Sequence, residues 1–124
     1  MGDARRPRSV YGVGDEPDPR FSLANERTAL AWMRTALALV AAGVGLTSLI
    51  EVARLPRSLE VIAALACVGG AALALRALAG WRASERALRV GQPLPAPRAL
   101  GWLAGLIVVV ALLLAGYIVG RVWR

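Results

Sequence analysis

Residues 18–50 read DPRFSLANERTALAWMRTALALVAAGVGLTSLI, a polar, arginine-bearing start that runs without a break into an apolar stretch. Asp18 before Pro19 is a helix-start signal. The carboxylate accepts from backbone amides that the first turn leaves unpaired, and proline at the first helical position has no amide to satisfy. No proline recurs until Pro56, so the spacing predicts a helix from Pro19 to Ile50. At about 1.5 Å per residue that helix is roughly 48 Å long, against a hydrocarbon core of about 30 Å. Its first two or three turns, carrying Arg20, Asn25, Glu26 and Arg27, therefore stand outside the apolar slab, which begins near Ala29. Arg34 lies deeper. Arg20, Arg27 and Arg34 are spaced by seven residues, which on a 3.6-residue helix keeps them on one stripe with about 20° of drift per step.

Outward from this stretch, the 124-residue chain is 57% hydrophobic, too apolar for an ordinary soluble domain and long enough for one compact unit. The apolar residues fall into three blocks, 29–50, 59–79 and 99–119. Each is near the 20 or so residues a helix needs to cross a bilayer, and an unbroken helix satisfies its own backbone in lipid. The expected fold is an all-α integral membrane protein of three transmembrane helices with an extended first helix, assembling as a homo-oligomeric bundle. Residues 1–17 mix arginine, glycine, proline and acids without periodicity and read as a disordered cytoplasmic tail. Residues 18–124 form the transmembrane domain. Pro56 makes the first loop tight, with Ser58 placed to cap the second helix. Pro93, Pro95 and Pro97 make the second connector stiff and extended after a helix stop at Gly91.

All fifteen basic residues are arginine, and the net charge is +7. Guanidinium stays charged at any physiological pH and its planar fork suits phosphates, carboxylates and lipid headgroups. Nine arginines flank the N-terminal tail and second loop against four in the first loop and C-terminal stub. That asymmetry favours a plasma-membrane protein with a cytoplasmic N-terminus and the C-terminus across the membrane. Arg76, within a turn of the second span's end, reads either as a snorkelling side chain or as one facing the bundle interior. Glu85 and Arg89 form an i, i+4 pair of the kind that usually lies on a solvated face.

There is no histidine and a single cysteine, Cys67, which sits mid-span as a small packing residue. No metal-ligand cluster, cofactor site or nucleophile-base pair is composable from this inventory, so neither a cofactor nor an enzymatic activity is expected. Small residues that let helices approach closely include Gly43 and Gly45 in the first span, and Gly101, Gly105, Gly116 and Gly120 as two GxxxG steps in the third. They serve packing within the monomer or between copies. Expected partners are the bilayer, other copies of the chain, and an anionic ligand or anionic lipid; nucleic acid is not expected.

Two stretches, RFSLANERTALAWMRTALAL at 20–39 and W-x3-ERALRVGQPLP at 81–95, resemble the signatures of the domain of unknown function 202, or YidH-like, family. The resemblance covers the whole chain after the tail. It implies three membrane helices, and it reaches a eukaryotic relative, the small membrane subunit of the vacuolar transporter chaperone complex, in which several copies form a pore for polyphosphate. Carried over by position, that pore's cations fall on Arg20 and Arg27, with Asn25 and Glu26 beside them, while Arg34 belongs to the bacterial RT pattern. Two functions of different class follow. One is an oligomeric conduit for a phosphate-like anion with an arginine-lined mouth. The other is a non-conducting scaffold or accessory subunit that docks a protein partner or organises anionic lipid.

Overall fold

A computed structural model describes residues 4–123. Its elements are α1 (Arg8–Tyr11), α2 (Pro19–Val52), α3 (Leu59–Arg89) and α4 (Arg98–Val122). The last three are long and apolar enough to cross a membrane. At about 1.5 Å per residue α2 and α3 reach roughly 51 and 46 Å, so both, not α2 alone, project beyond the hydrocarbon at the same end. The chain is all-α with three spans, as the apolar blocks indicate.

The helix ends follow local chemistry. Asp18 caps α2, its carboxylate accepting from the Arg20 amide at 2.9 Å, with Pro19 in the first turn. At the far end of α2 the Leu55 amide donates back to the Ile50 carbonyl while Arg54 sits at φ +52°. Helix α3 closes the same way, with Gln92 donating to the Ala87 carbonyl and Gly91 at φ +65°. There the left-handed residue is a glycine, which has no Cβ to clash. Ser58 does not cap α3 with its side chain. The first amides of that helix, Leu59 and Glu60, instead donate to the carbonyls of Pro56 and Arg57. Residues 92–97 are extended and exposed, as three alternating prolines require.

Helix α3 touches α1, α2 and α4; among the described residues α2 and α4 have no close backbone approach, and α4 reaches the α2–α3 contact through Val110 and Tyr117, which pack against the Ile50, Leu59 and Ile62 cluster. The α2–α3 contact is close because it is built on glycine. A Cβ on Gly43 would lie 2.7 Å from the Ala63 carbonyl oxygen and 2.5 Å from Cys67 Sγ, and one on Gly70 would lie 2.7 Å from the Ala36 carbonyl oxygen. Cys67 fills this seam, its thiol 3.8 Å from the Val40 carbonyl that accepts from it. The buried residues of α2 are Ala36, Gly43 and Ile50, again seven apart, so one heptad faces α3. Helix α4 buries none of its residues.

The N-terminal segment departs from the disordered tail expected of it. Residues 1–3 lie outside the described part, but from residue 4 onward the segment folds back on α3. Val10 is 1% exposed, and the Asp15 amide donates to the Arg89 carbonyl at 3.0 Å. Gly14 permits this approach, since it has φ +62° and a Cβ there would coincide with the Arg89 carbonyl. Its apolar and aromatic members, Val10 and Tyr11, are too few to form a periodic pattern, but one buried valine and a pinned backbone are enough to dock so short a segment.

Candidate functional site

Two sets of polar residues share the end of the molecule where α2 begins and α3 finishes, and they lie on opposite faces of α2. The first faces inward. Glu85 is 3% exposed and Arg89 6%, so this pair is not on a solvated face. Ser22 Oγ donates to Glu85 Oε1 at 2.8 Å, and Asn25 Nδ2 donates to Glu85 Oε2 at 3.2 Å and to the Trp81 carbonyl at 3.1 Å. A buried carboxylate held by two neutral donors and a nearby cation is a clamp between helices, because each unmet lone pair in such a site costs free energy.

Arg89 extends the clamp to the N-terminal segment. Its Nη2 donates to Glu16 Oε2 at 3.4 Å, its Nε stands 3.9 Å from Glu85 Oε1, and its guanidinium lies 4.8 Å from the centre of the Tyr11 ring. Arg5 also lies 4.8 Å from that ring and grips Glu16 with both terminal nitrogens. The Tyr11 and Trp81 rings pack at 6.5 Å between centroids, tilted by 57°. The hydrogen bonds from Arg5 hold the Glu16 carboxyl below its ordinary pKa, aided by the charges of Arg5 and Arg89 and opposed by desolvation.

The second set faces outward. Arg20, Glu26, Arg27 and Arg34 are all exposed, and none of their side chains makes a hydrogen bond or ion pair with another described residue. Helical geometry explains this. The heptad 22, 29, 36, 43, 50 meets α3, and two residues of offset turn the heptad 20, 27, 34 about 160° away. Asn25 and Glu26, adjacent in one motif, are thereby separated: Asn25 belongs to the clamp, while Glu26 is exposed on the flank of α2, about 100° from Arg27. Asn25 is level with Trp81, to whose carbonyl it donates. Nine residues farther on, Arg34 lies about 14 Å deeper along the axis, on a face that no other helix of the chain covers.

Of the glycines expected to pack helices, Gly43 does so. Gly45, Gly101, Gly105, Gly116 and Gly120 take no part in packing within the chain, since a Cβ at any of them would meet nothing within 4 Å. Sequence reasoning missed Ser22, Glu85, Arg89, Glu16 and Tyr11. The available signal was Glu85 itself, the only acid after Glu60. No group of three or more metal-binding side chains occurs among the described residues.

Three apolar helices, the first two joined by a polar interhelical clamp, define a multi-pass α-helical membrane protein. Residues 20–89 match the family described as Domain of unknown function (DUF202), and the chain belongs to this family. The matched segment is the α2–α3 pair, with Ser22, Asn25, Glu85 and Arg89 all inside it and α4 outside. The chain is 41% identical to the inner membrane protein YidH of Escherichia coli (strain K12) over 109 residues, 88% of this chain and 95% of that protein. It is 43% identical to an uncharacterized protein of Mycobacterium tuberculosis (strain CDC 1551 / Oshkosh) over 101 residues, 81% of this chain and 83% of that one. No solved structure matches it.

Proposed function

We propose that copies of this chain associate in the plasma membrane through the outer face of α2 and form a conduit for a phosphate-like anion, its mouth lined by Arg20 and Arg27 and its throat by Arg34. The observation that supports this reading is Arg34, an exposed guanidinium without a partner among the described residues, about 14 Å inward of the Trp81 level. Facing acyl chains at the bilayer centre, an arginine costs about 3 kcal/mol on insertion scales and more in simulations. A second copy, or water enclosed by several, removes that cost. Successive guanidinium rings would then offer an anion bidentate sites at two-turn intervals, about 10.5 Å apart, a recognised way to admit phosphate. The arginine asymmetry of the loops orients the mouth toward the cytoplasm. The chain carries no catalytic role in this reading.

The test is uptake of labelled inorganic phosphate and short polyphosphate into liposomes reconstituted with the full chain. Wild type is expected to conduct, and Arg27→Ala to lose the flux while crosslinking still captures the oligomer. Wild-type uptake equal to empty liposomes overturns the conduit. A second reading, an accessory subunit without conduction, draws support from α4, whose outer surface is free for a partner. It predicts that Arg27→Ala instead weakens co-purification of a protein partner.

A further inference from the structure

Between α3 and α4 lies a groove of about 530 Å³, within the range of roughly 300–1,000 Å³ typical of ligand sites. Gly69 and Leu73 line it on α3, and Gly101, Trp102 and Gly105 on α4; Arg76 is its one charged lining residue. Gly101 and Gly105 hold it open, because a Cβ at either would meet nothing within 4 Å. The helices are consecutive and antiparallel, with Gly69 against Leu106. Arg76 and Trp102 therefore sit at the end nearer the membrane surface, and Gly69 at the deeper end.

Arg76 is partly buried and makes no hydrogen bond or ion pair with another described residue. It stands five residues, about 7.5 Å along the axis, from Trp81, an aromatic side chain of the kind that settles at the membrane interface, and so within reach of headgroup level for a side chain of its length. The groove thus offers a cation at the surface end and apolar walls along the remainder. Its complement is an amphiphile with an anionic head.

We propose that this groove binds an acidic phospholipid, its phosphate on Arg76 and one acyl chain laid along the glycine-floored path from Trp102 toward Gly69. A zwitterionic lipid brings its own ammonium to the same phosphate and gains less. The site does not depend on conduction, since Arg76 and the arginine stripe are on different helices.

The test is native mass spectrometry of the full chain released from nanodiscs of phosphatidylglycerol and phosphatidylcholine in equal amounts with matched acyl chains. Retained lipid is expected to favour phosphatidylglycerol about fivefold, the ratio equivalent to about 1 kcal/mol for one arginine near an acidic headgroup. Arg76→Gln brings the ratio close to one, and Gly105→Leu reduces the retention of both lipids. Arg82→Gln, which removes an exposed arginine outside the groove, leaves the preference in place. An unchanged ratio in Arg76→Gln, or an equal loss in Arg82→Gln, overturns the proposal. So does Gly105→Leu abolishing self-association while lipid retention persists, which would make the occupant a second copy. Gly105→Leu fills open space and is expected to fold; Arg76→Lys, which retains a cation, is expected to keep the preference and serves as the second folded control.

Discussion

Helices α2 and α4 both pack on α3 and meet it differently. Helix α2 is held by glycine-deep contacts at Gly43 and Gly70 and by a carboxylate clamp at Glu85. Helix α4, the most apolar of the three, buries none of its residues against α3. Greasiness therefore does not order the packing. Between helices in lipid there is no hydrophobic drive, since acyl chains are as apolar as leucine, and association depends on close van der Waals approach and interhelical hydrogen bonds. The DUF202 match follows the same division, covering the tightly joined pair and stopping at Arg89.

The contrast can be broken hardest at the clamp. Glu85→Ala leaves Ser22 and Asn25 without their acceptor and Arg89 without a buried counter-charge, and is expected to destabilise by about 3 kcal/mol or more. The check is denaturant titration in detergent micelles. A loss under about 0.5 kcal/mol, the range of ordinary surface changes, would show that the clamp does not join α2 to α3.

Next in size is the glycine seam. Gly43→Val drives a side chain into the Ala63 carbonyl and is expected to cost about 1–3 kcal/mol, whereas Gly101→Val on α4 meets open space and should lie within about 0.5 kcal/mol of wild type. Measured in the same assay, equal effects at the two sites would erase the distinction between tight and loose contacts.

The N-terminal segment supplies a pH-dependent version of the comparison. Glu16 has a folded pKa below its ordinary value of 4.5. Its contribution is complete above that ordinary value and is lost as pH falls through the lowered one. Acidification below about 4.5 should therefore lower the amide protection factors across residues 8–16, taken relative to the intrinsic exchange rate at each pH, while the α2–α3 seam stays protected, and Glu16→Gln should reproduce this at neutral pH. Exchange in that segment that ignores both acid and Glu16→Gln would remove the Arg5–Glu16–Arg89 bridge as its anchor.

The smallest effect separates the two loops. Both α2 and α3 end on a left-handed residue, but α3 uses Gly91 and α2 uses Arg54. Arg54→Gly is expected to stabilise the chain by about 0.5–1 kcal/mol by removing the Cβ strain, and a loss of stability would mean that Arg54 makes a compensating contact.

Much of this was legible in residues 18–50. Asp18, Pro19 and the unbroken run to Pro56 mark one long helix, and the heptad of arginines lies on one stripe for the same geometric reason that makes α-helices periodic. The reading of Glu85 and Arg89 failed because an i, i+4 acid-base pair has the same spacing on a wet face as at a buried seam. Nothing within α3 itself distinguishes the two. Val10 and Tyr11 were likewise unreadable, being too few and too close together to show a period.

By itself the sequence determined the number of spans, their ends and which residues share a face, because those depend on local backbone geometry and on the thickness of the bilayer. Only the tertiary structure decided which face meets a neighbour. It turned Asn25 inward and Glu26 outward, put Gly43 in a seam and Gly45 in open space, and folded residues 4–17 onto α3. Burial is a relation between two helices, and the register that brings Ser22 and Asn25 to Glu85 is set by how closely the backbones can approach at Gly43 and Gly70, across chain distances no local pattern records.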